Sequence, residues 1–274
     1  MIIAVYPANQ RRYAAIWSQL KCFSNGFDKI VISSPHQFLE DMNEFVHVAK
    51  SSIPELKDKI IETRFFNNDR YDFGLWCDAL YLKKDDGKDM LEDSAIAEYM
   101  LINDSIMAIE RTDEFLLTLR ERQLTLLSLN YWGQKNSTES KYWLESPLRV
   151  FSREGMKVYA ENICSLPQIN WGMDCPHLKE SGYGSNAQRQ KRCIVELSEI
   201  NVVNHYESDK IYGLYKGSTP LYKHWAEDFF YWLSLRRDGF PAVKVSHHTF
   251  FDTLKHEATV DLERCTKNFT GNWL

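Results

Sequence analysis

The chain has 274 residues, a formal charge of −5 at pH 7, 44% hydrophobic and 26% charged residues. Without a dominant Lys/Arg block it excludes a duplex-binding protein, which needs a basic stripe to neutralise phosphates. The short basic cluster "RQKRC" (189–193) reads as a solvated loop. Eight Trp, 14 Tyr and 15 Phe fit a thick core, and also a site that stacks flat ligands or sugar faces.

The start, "MIIAVYPANQRR", has too short an apolar segment for a signal peptide, and no apolar run of about 18 residues follows. Six dispersed cysteines, Cys22, Cys77, Cys164, Cys175, Cys193 and Cys265, contain no C-x-x-C pair. That spacing argues against a zinc site, and a chain of this size needs no disulfide framework. The expectation is a reduced, soluble, cytoplasmic protein with no transmembrane segment, peripheral membrane association being left open. The N-x-S/T matches at Asn136 and Asn268 then carry no meaning as glycosylation sites.

"MIIAVY" (1–6) predicts a buried strand. Asn9 can cap a helix with Tyr13, Ile16, Trp17 and Leu20 on one face. "DKIVISS" (28–34) reads as the next strand, which makes a β-α-β start with a right-handed crossover. No G-x-G-x-x-G follows the first strand, so a dinucleotide fingerprint is absent. A helical patch around Ile53–Ile60 with Pro54 in its first turn, a strand "IIETRFF" (60–66) and a helix over 71–84 follow.

The apolar run Tyr99–Ile102 ends in Asn103-Asp104-Ser105. Next come an amphipathic stretch at 113–123, a strand and turn at 124–133, a strand at 146–152 and a helix marked by Met156, Tyr159, Ala160 and Ile163. Residues 165–190, rich in Pro, Gly, Ser and Asn, are the longest aperiodic stretch and a candidate lid. Beyond them the pattern predicts a helix near 193–205, a strand at 211–215 and an aromatic helix with Leu221, Trp225, Phe229 and Trp232 on one face. "DGFPAVK" (238–244) breaks that helix, and 248–256 is a further helical stretch.

Strands alternating with helices, without repeats or a clear linker, predict a single domain over 1–274 with a three-layer α/β, mostly parallel sheet flanked by helices. Polar groups at the carboxyl end of a buried strand are costly without partners, and that end is where α/β sheets place ligands. Asn103-Asp104-Ser105 therefore reads as a site; the competing reading is an Asx turn before a helix.

Four segments carry a resemblance to a known family: "NNDRYDFGLWCDAL" (67–80), "YMLINDSIMAI" (99–109), "NYWGQKNSTESKYWLESPLRVFS" (130–152) and "WAEDFFYWLSLRRDGFPAVKVS" (225–246). In this order they resemble the rhamnan synthesis F glycosyltransferases, with their N-x-G-Y-D-F-G-x-W, L-x-N-D-S, W-G with H-x-Q-S-Y-F, and W…G-F-P-F-x-K. Two departures stand out. Tyr142-Trp143-Leu144-Glu145-Ser146 replaces H-x-Q-S, and Met107-Ala108 stand where the family has Gly or Pro after N-D-S.

The resemblance implies a GT-A-like (Rossmann-like) enzyme with a nucleotide-sugar-binding half at 1–110 and an acceptor-binding half at 111–274. Its donor would be a nucleotide-diphosphate sugar of the UDP, dTDP or GDP type, its acceptor a glycan, and rhamnose a candidate for the sugar transferred. Asn103-Asp104-Ser105 matches N-D-S, the counterpart of D-x-D. Asp104 would then hold Mn²⁺ or Mg²⁺, with Asn103 and Ser105 placing ribose or water; metal-independent catalysis stays open.

Arg70 could grip diphosphate bidentately and Asp72 lies beside it; the alternative is a surface loop with a helix cap at Asp72. Two carboxylates qualify as the base of an inverting transfer. Glu145 lies in an aromatic frame that can stack a sugar and raise its pKa, and Glu196 is similar to the acid before an L-S helix in GT-A enzymes. An ion-paired Glu145 and a solvent-facing Glu196 are the alternatives. Retaining transfer, or a non-catalytic glycan-binding scaffold, are the rival functions.

Overall fold

The computed structural model describes residues 1–8, 10–108, 111, 113–132, 143–144, 148–165, 170–180, 186, 189–190, 193, 210–216 and 222–224. The fold is α/β with a mostly parallel sheet flanked by helices, as the alternation of elements predicts. The chain divides into two compact units. One is Met1–Phe66 with Ile102–Thr118 and Ser218–Leu274; the other is Asn67–Leu101 with Leu119–Gly217.

In the first unit, β1 (Ile2–Ala4), β2 (Lys29–Pro35) and β3 (Ile60–Phe66) are parallel neighbours, with Ile2 opposite Val31 and Lys29 opposite Ile60. Ile2, Ile3 and Ala4, like Ile30, Val31 and Ile32, are buried throughout. Such unbroken apolar runs belong to parallel strands covered on both faces. The helix α1 (Gln10–Cys22) buries Tyr13, Ile16, Trp17 and Leu20, the predicted face.

Tyr13 and Trp17 pack on Phe45 of α2 (Leu39–Ser52), with centroids 5.2 and 6.0 Å apart. Helix α2 was not expected, although Met42, Phe45, Val48 and Ala49 bury one face at helical spacing. Where a helix was expected after Ile53, only a 3₁₀ turn forms, Pro54–Leu56. The end of β4 (Glu98–Asn103) lies beside β1, and β5 (Ile106–Ala108) pairs antiparallel with Tyr222–His224. The aromatic helix predicted from Leu221 is therefore a strand at 222–224, and the rest of that prediction lies outside the described residues.

In the second unit, α3 (Tyr71–Tyr81) leads to the start of β4; α4 (Asp113–Glu121) begins in the first unit, and the chain continues to β6 (Leu126–Trp132) in the second. The strands β7 (Trp143–Leu144) and β8 (Leu148–Ser152) pair antiparallel with β6. The helix α5 (Arg153–Tyr159) continues into a π-helical turn, Ala160–Cys164. Two short helices, α6 (Trp171–Asp174) and α7 (His177–Glu180), occupy part of the stretch read as aperiodic. Last, β9 (Ile211–Lys216) runs parallel to β6. The helices expected near 193–205 and at 248–256, and the cap at Asn9, lie outside the described residues apart from Cys193.

The turn into α5 is crowded. Ser152 caps the helix by accepting from Gly155 N–H at 3.1 Å. A Cβ on Gly155 would lie 1.9 Å from the carbonyl oxygen of Thr125. Backbone cannot give way as a flexible side chain can, so Gly155→Ala should cost about 3 kcal/mol or more in urea unfolding, the upper end for overpacking. A loss below about 1 kcal/mol would show that the contact yields.

The cysteine expectation needs correction. Cys77 is bonded to Cys164 and Cys175 to Cys193, Cys22 is also disulfide-bonded, and no described cysteine is free. Folding brings Cα atoms 87 residues apart in sequence to 5.3 Å, within bridging range. Sequence spacing alone does not reveal such a pairing. No described helix is long and apolar enough to cross a membrane.

Candidate functional site

In the first unit the strand order is β3-β2-β1, and the last residues of β4, Ile102 and Asn103, lie on the other side of β1. The chain moves outward from β1 to β3 on one side and places β4 on the other, so order reverses between β1 and β4. Ligands of open α/β sheets bind outside the carboxyl ends at such a switch point. There the two carboxyl ends meet, and Asp104 N–H donates to Ala4 O at 3.2 Å.

Asn103-Asp104-Ser105 forms the turn between β4 and β5. The side-chain oxygen of Asn103 accepts from Ser105 N–H at 3.1 Å and from the Ser105 hydroxyl, an Asx-turn geometry. Helix α1 supplies the turn's other partners. Gln19 Nε2 donates to Asn103 O at 2.8 Å and Ile106 O at 2.7 Å, and Ala108 N–H donates to Ser18 Oγ at 2.9 Å. The turn reading and the site reading thus describe the same residues: the turn is what holds Asp104 in place.

The Asp104 carboxylate is 5% exposed and fully engaged on both oxygens. One accepts from Tyr6 N–H at 2.6 Å; the other forms an ion pair with the Arg12 guanidinium, itself 23% exposed. Tyr6 is 39% exposed, its ring edge-on to Phe38 at 5.1 Å, its hydroxyl accepting from Gln37 at 3.2 Å. Arg12 and Gln19 lie off the apolar face that makes α1 legible, and Tyr6, which precedes the helix, contributes a backbone N–H that no side-chain pattern reveals. Positions 12 and 19, two turns apart, mark a polar seam on that helix.

A divalent ion fits this corner poorly. Among the described residues no three His, Cys, Asp or Glu are grouped to hold one. Asp104 is the single carboxylate of the triplet, and Arg12 already neutralises it. At about 4 Å and an effective dielectric of 20, each pair of unit charges is worth roughly 4 kcal/mol. Attraction of a cation to Asp104 is thus offset by repulsion from Arg12 at similar range. The expectation that Asp104 holds Mn²⁺ or Mg²⁺ is not carried into the mechanism.

Arg70 and Asp72 belong to the second unit, at the start of α3. Arg70 donates to Cys164 O at 3.1 Å and reaches Asp78 at 3.5 Å, tying the first turn of α3 to the π turn beside the Cys77–Cys164 bridge. Burial raises the pKa of Asp78 and the charge of Asp69 adds to this, while Arg70 opposes. Tyr71 has φ of 54°, a left-handed conformation unusual for a bulky side chain. Arg70 is therefore already engaged as a clamp within the protein. Glu145 and Glu196 lie outside the described residues.

No protein-family model matches the chain, and no curated protein matches it. Solved structures with a related arrangement include 4-diphosphocytidyl-2C-methyl-D-erythritol synthase from Anaerococcus prevotii, at 11% identity and TM-score 0.44, covering 86% of this chain and 96% of that one. A glucose-1-phosphate thymidylyltransferase, so described, from Bacillus anthracis has 9% identity and TM-score 0.41, covering 77% and 98%. Mouse xyloside xylosyltransferase 1 has 10% identity and TM-score 0.39, covering 78% and 83%. At TM-scores below 0.5, function has to be argued from the residues.

Proposed function

We propose that the chain is an inverting glycosyltransferase that moves a sugar, rhamnose first among candidates, from a nucleotide-diphosphate donor to a glycan acceptor in polysaccharide or glycoprotein glycan synthesis. The observation that supports this most is Asn103-Asp104-Ser105 at the carboxyl end of β4, beside the end of β1, where the strand order reverses. The four-segment resemblance to the rhamnan synthesis F family supports the reaction type. In this reading residues 1–110 and 111–274 are the donor and acceptor halves of one catalytic domain.

As the acceptor hydroxyl oxygen bonds to the anomeric carbon, its proton passes to Glu196 or Glu145, and the bond from that carbon to the diphosphate oxygen breaks. Charge grows on the leaving diphosphate. The guanidinium of Arg12 and the amino end of α1, which has no acidic residue in its first turn, are the positive groups at the corner. Asn103 and Ser105 shape the turn on which the donor rests, and Arg70 and Asp72 are kept as further donor contacts.

The disulfides support an oxidising compartment over the cytoplasm expected from the cysteine spacing. Alkylation of the protein taken directly from its native source, followed by mass spectrometry, checks this: bridged cysteines are expected, free thiols would return the protein to a reducing compartment.

The test of the functional reading is a melting-temperature screen against UDP, dTDP and GDP. One of them should stabilise the protein, by about 2.7 kcal/mol at a hundredfold excess over Kd. If none does, the donor assignment fails and the glycan-binding scaffold becomes the better reading.

A further inference from the structure

We infer that the corner at Asp104 receives the diphosphate without a divalent ion, the Arg12 guanidinium standing where a cation would otherwise sit. The diphosphate half of this inference rests on the proposed function; the exclusion of the cation does not.

Four observations converge on one carboxylate. Asp104 is almost wholly buried, so its charge must be compensated locally, and Arg12 does so by direct ion pairing. Its second oxygen accepts from Tyr6 N–H at 2.6 Å. Arg12 is the third residue of α1, a helix of 13 residues, so the positive end of that helix dipole faces the same region. Asn103, the neighbouring oxygen donor of the triplet, has its side-chain oxygen turned back onto Ser105. The carboxylate is thus already met by Arg12 and by the Tyr6 N–H, which leaves it little to offer a cation.

A partly exposed guanidinium is suited to that anion. Its planar fork matches phosphate oxygens, and the side chain is 23% exposed beside the buried carboxylate it pairs with. Phosphate contact and the pairing with Asp104 are then served by one side chain.

The experiment titrates the protein into Mn²⁺ and follows the paramagnetic resonance signal of the free ion. The parent should leave the signal unchanged. In parallel, calorimetry with inorganic pyrophosphate should give the parent equal affinity in EDTA and in Mn²⁺. Arg12→Met should lose roughly tenfold to a hundredfold in EDTA, as expected for a charge-assisted hydrogen bond.

Mn²⁺ binding by the parent that disappears in Asp104→Asn would overturn the inference, with no dependence on how the Arg12 variant folds. So would a parent that binds pyrophosphate more tightly in Mn²⁺ than in EDTA. Failure of the parent to bind pyrophosphate, with Mn²⁺ still excluded, would overturn the diphosphate half alone and count against the proposed function.

Discussion

Removing the Cys77–Cys164 bridge, as Cys77→Ser with Cys164→Ser, should lower the unfolding free energy by about 4–5 kcal/mol, against about 3 kcal/mol for Cys175→Ser with Cys193→Ser. The difference follows from loop length. The first bridge closes 87 residues and the second 18, and the chain-entropy relation scales with the logarithm of that number. The first bridge also fixes where Arg70 finds the carbonyl of Cys164, so its loss frees the start of α3 as well.

The paired substitutions leave no lone thiol to exchange with the remaining bridges. Urea unfolding of parent and variants, with and without reductant, measures both values. A parent whose transition is indifferent to reductant would remove the bridges from the stability account. A larger loss from the shorter loop would show that packing and not chain entropy decides.

Changing the true catalytic base to glutamine should lower kcat by about 10²–10⁴-fold, since general-base loss commonly costs that much. Glutamine keeps the size and much of the hydrogen bonding of glutamate and cannot take the proton. Glu196 and Glu145 cannot both be the primary base for one hydroxyl. Glu196, the carboxylate directly before Leu197-Ser198, is the preferred candidate on sequence grounds; Glu145 has its aromatic sequence neighbours Tyr142 and Trp143 in its favour.

The measurement is kcat for Glu196→Gln and Glu145→Gln at saturating donor and acceptor. The base variant should leave donor affinity nearly unchanged, and a residue that only positions the acceptor should raise acceptor KM with kcat preserved. Turnover of Glu196→Gln within a few-fold of the parent would transfer the role to Glu145 or exclude both.

The strands were the legible part of this fold. Ile2–Ala4, Lys29–Pro35 and Glu98–Asn103 stand out because each carries a buried apolar run between polar residues, while Ile60–Phe66 and Leu148–Ser152 show apolar residues broken by Glu62-Thr63-Arg64 and by Arg149. Helix α2 was harder. Its first turn has no side-chain cap, so its boundary lacks the usual sign, although its apolar spacing was there to find. Tyr222–His224 shows the reverse error: aromatic spacing looked helical, and pairing with Met107 and its neighbours decided for a strand.

The site divides in the same way. The position of Asn103-Asp104-Ser105 follows from one strand and its end. Its electrostatics do not, because Arg12 meets Asp104 across 92 residues of sequence and only the sheet order brings them together. The disulfides were hidden for the same reason, two cysteines 87 residues apart carrying no mutual signal until α3 and the π turn are packed.

The central claim is that this chain activates a nucleotide sugar, and its most direct test is turnover without an acceptor. Incubated with a panel of UDP-, dTDP- and GDP-sugars in EDTA, the protein should slowly release nucleoside diphosphate from one of them. Arg12→Met should suppress that release. No release from any member of the panel, with or without Mn²⁺, together with no thermal shift by any nucleotide, would contradict the account.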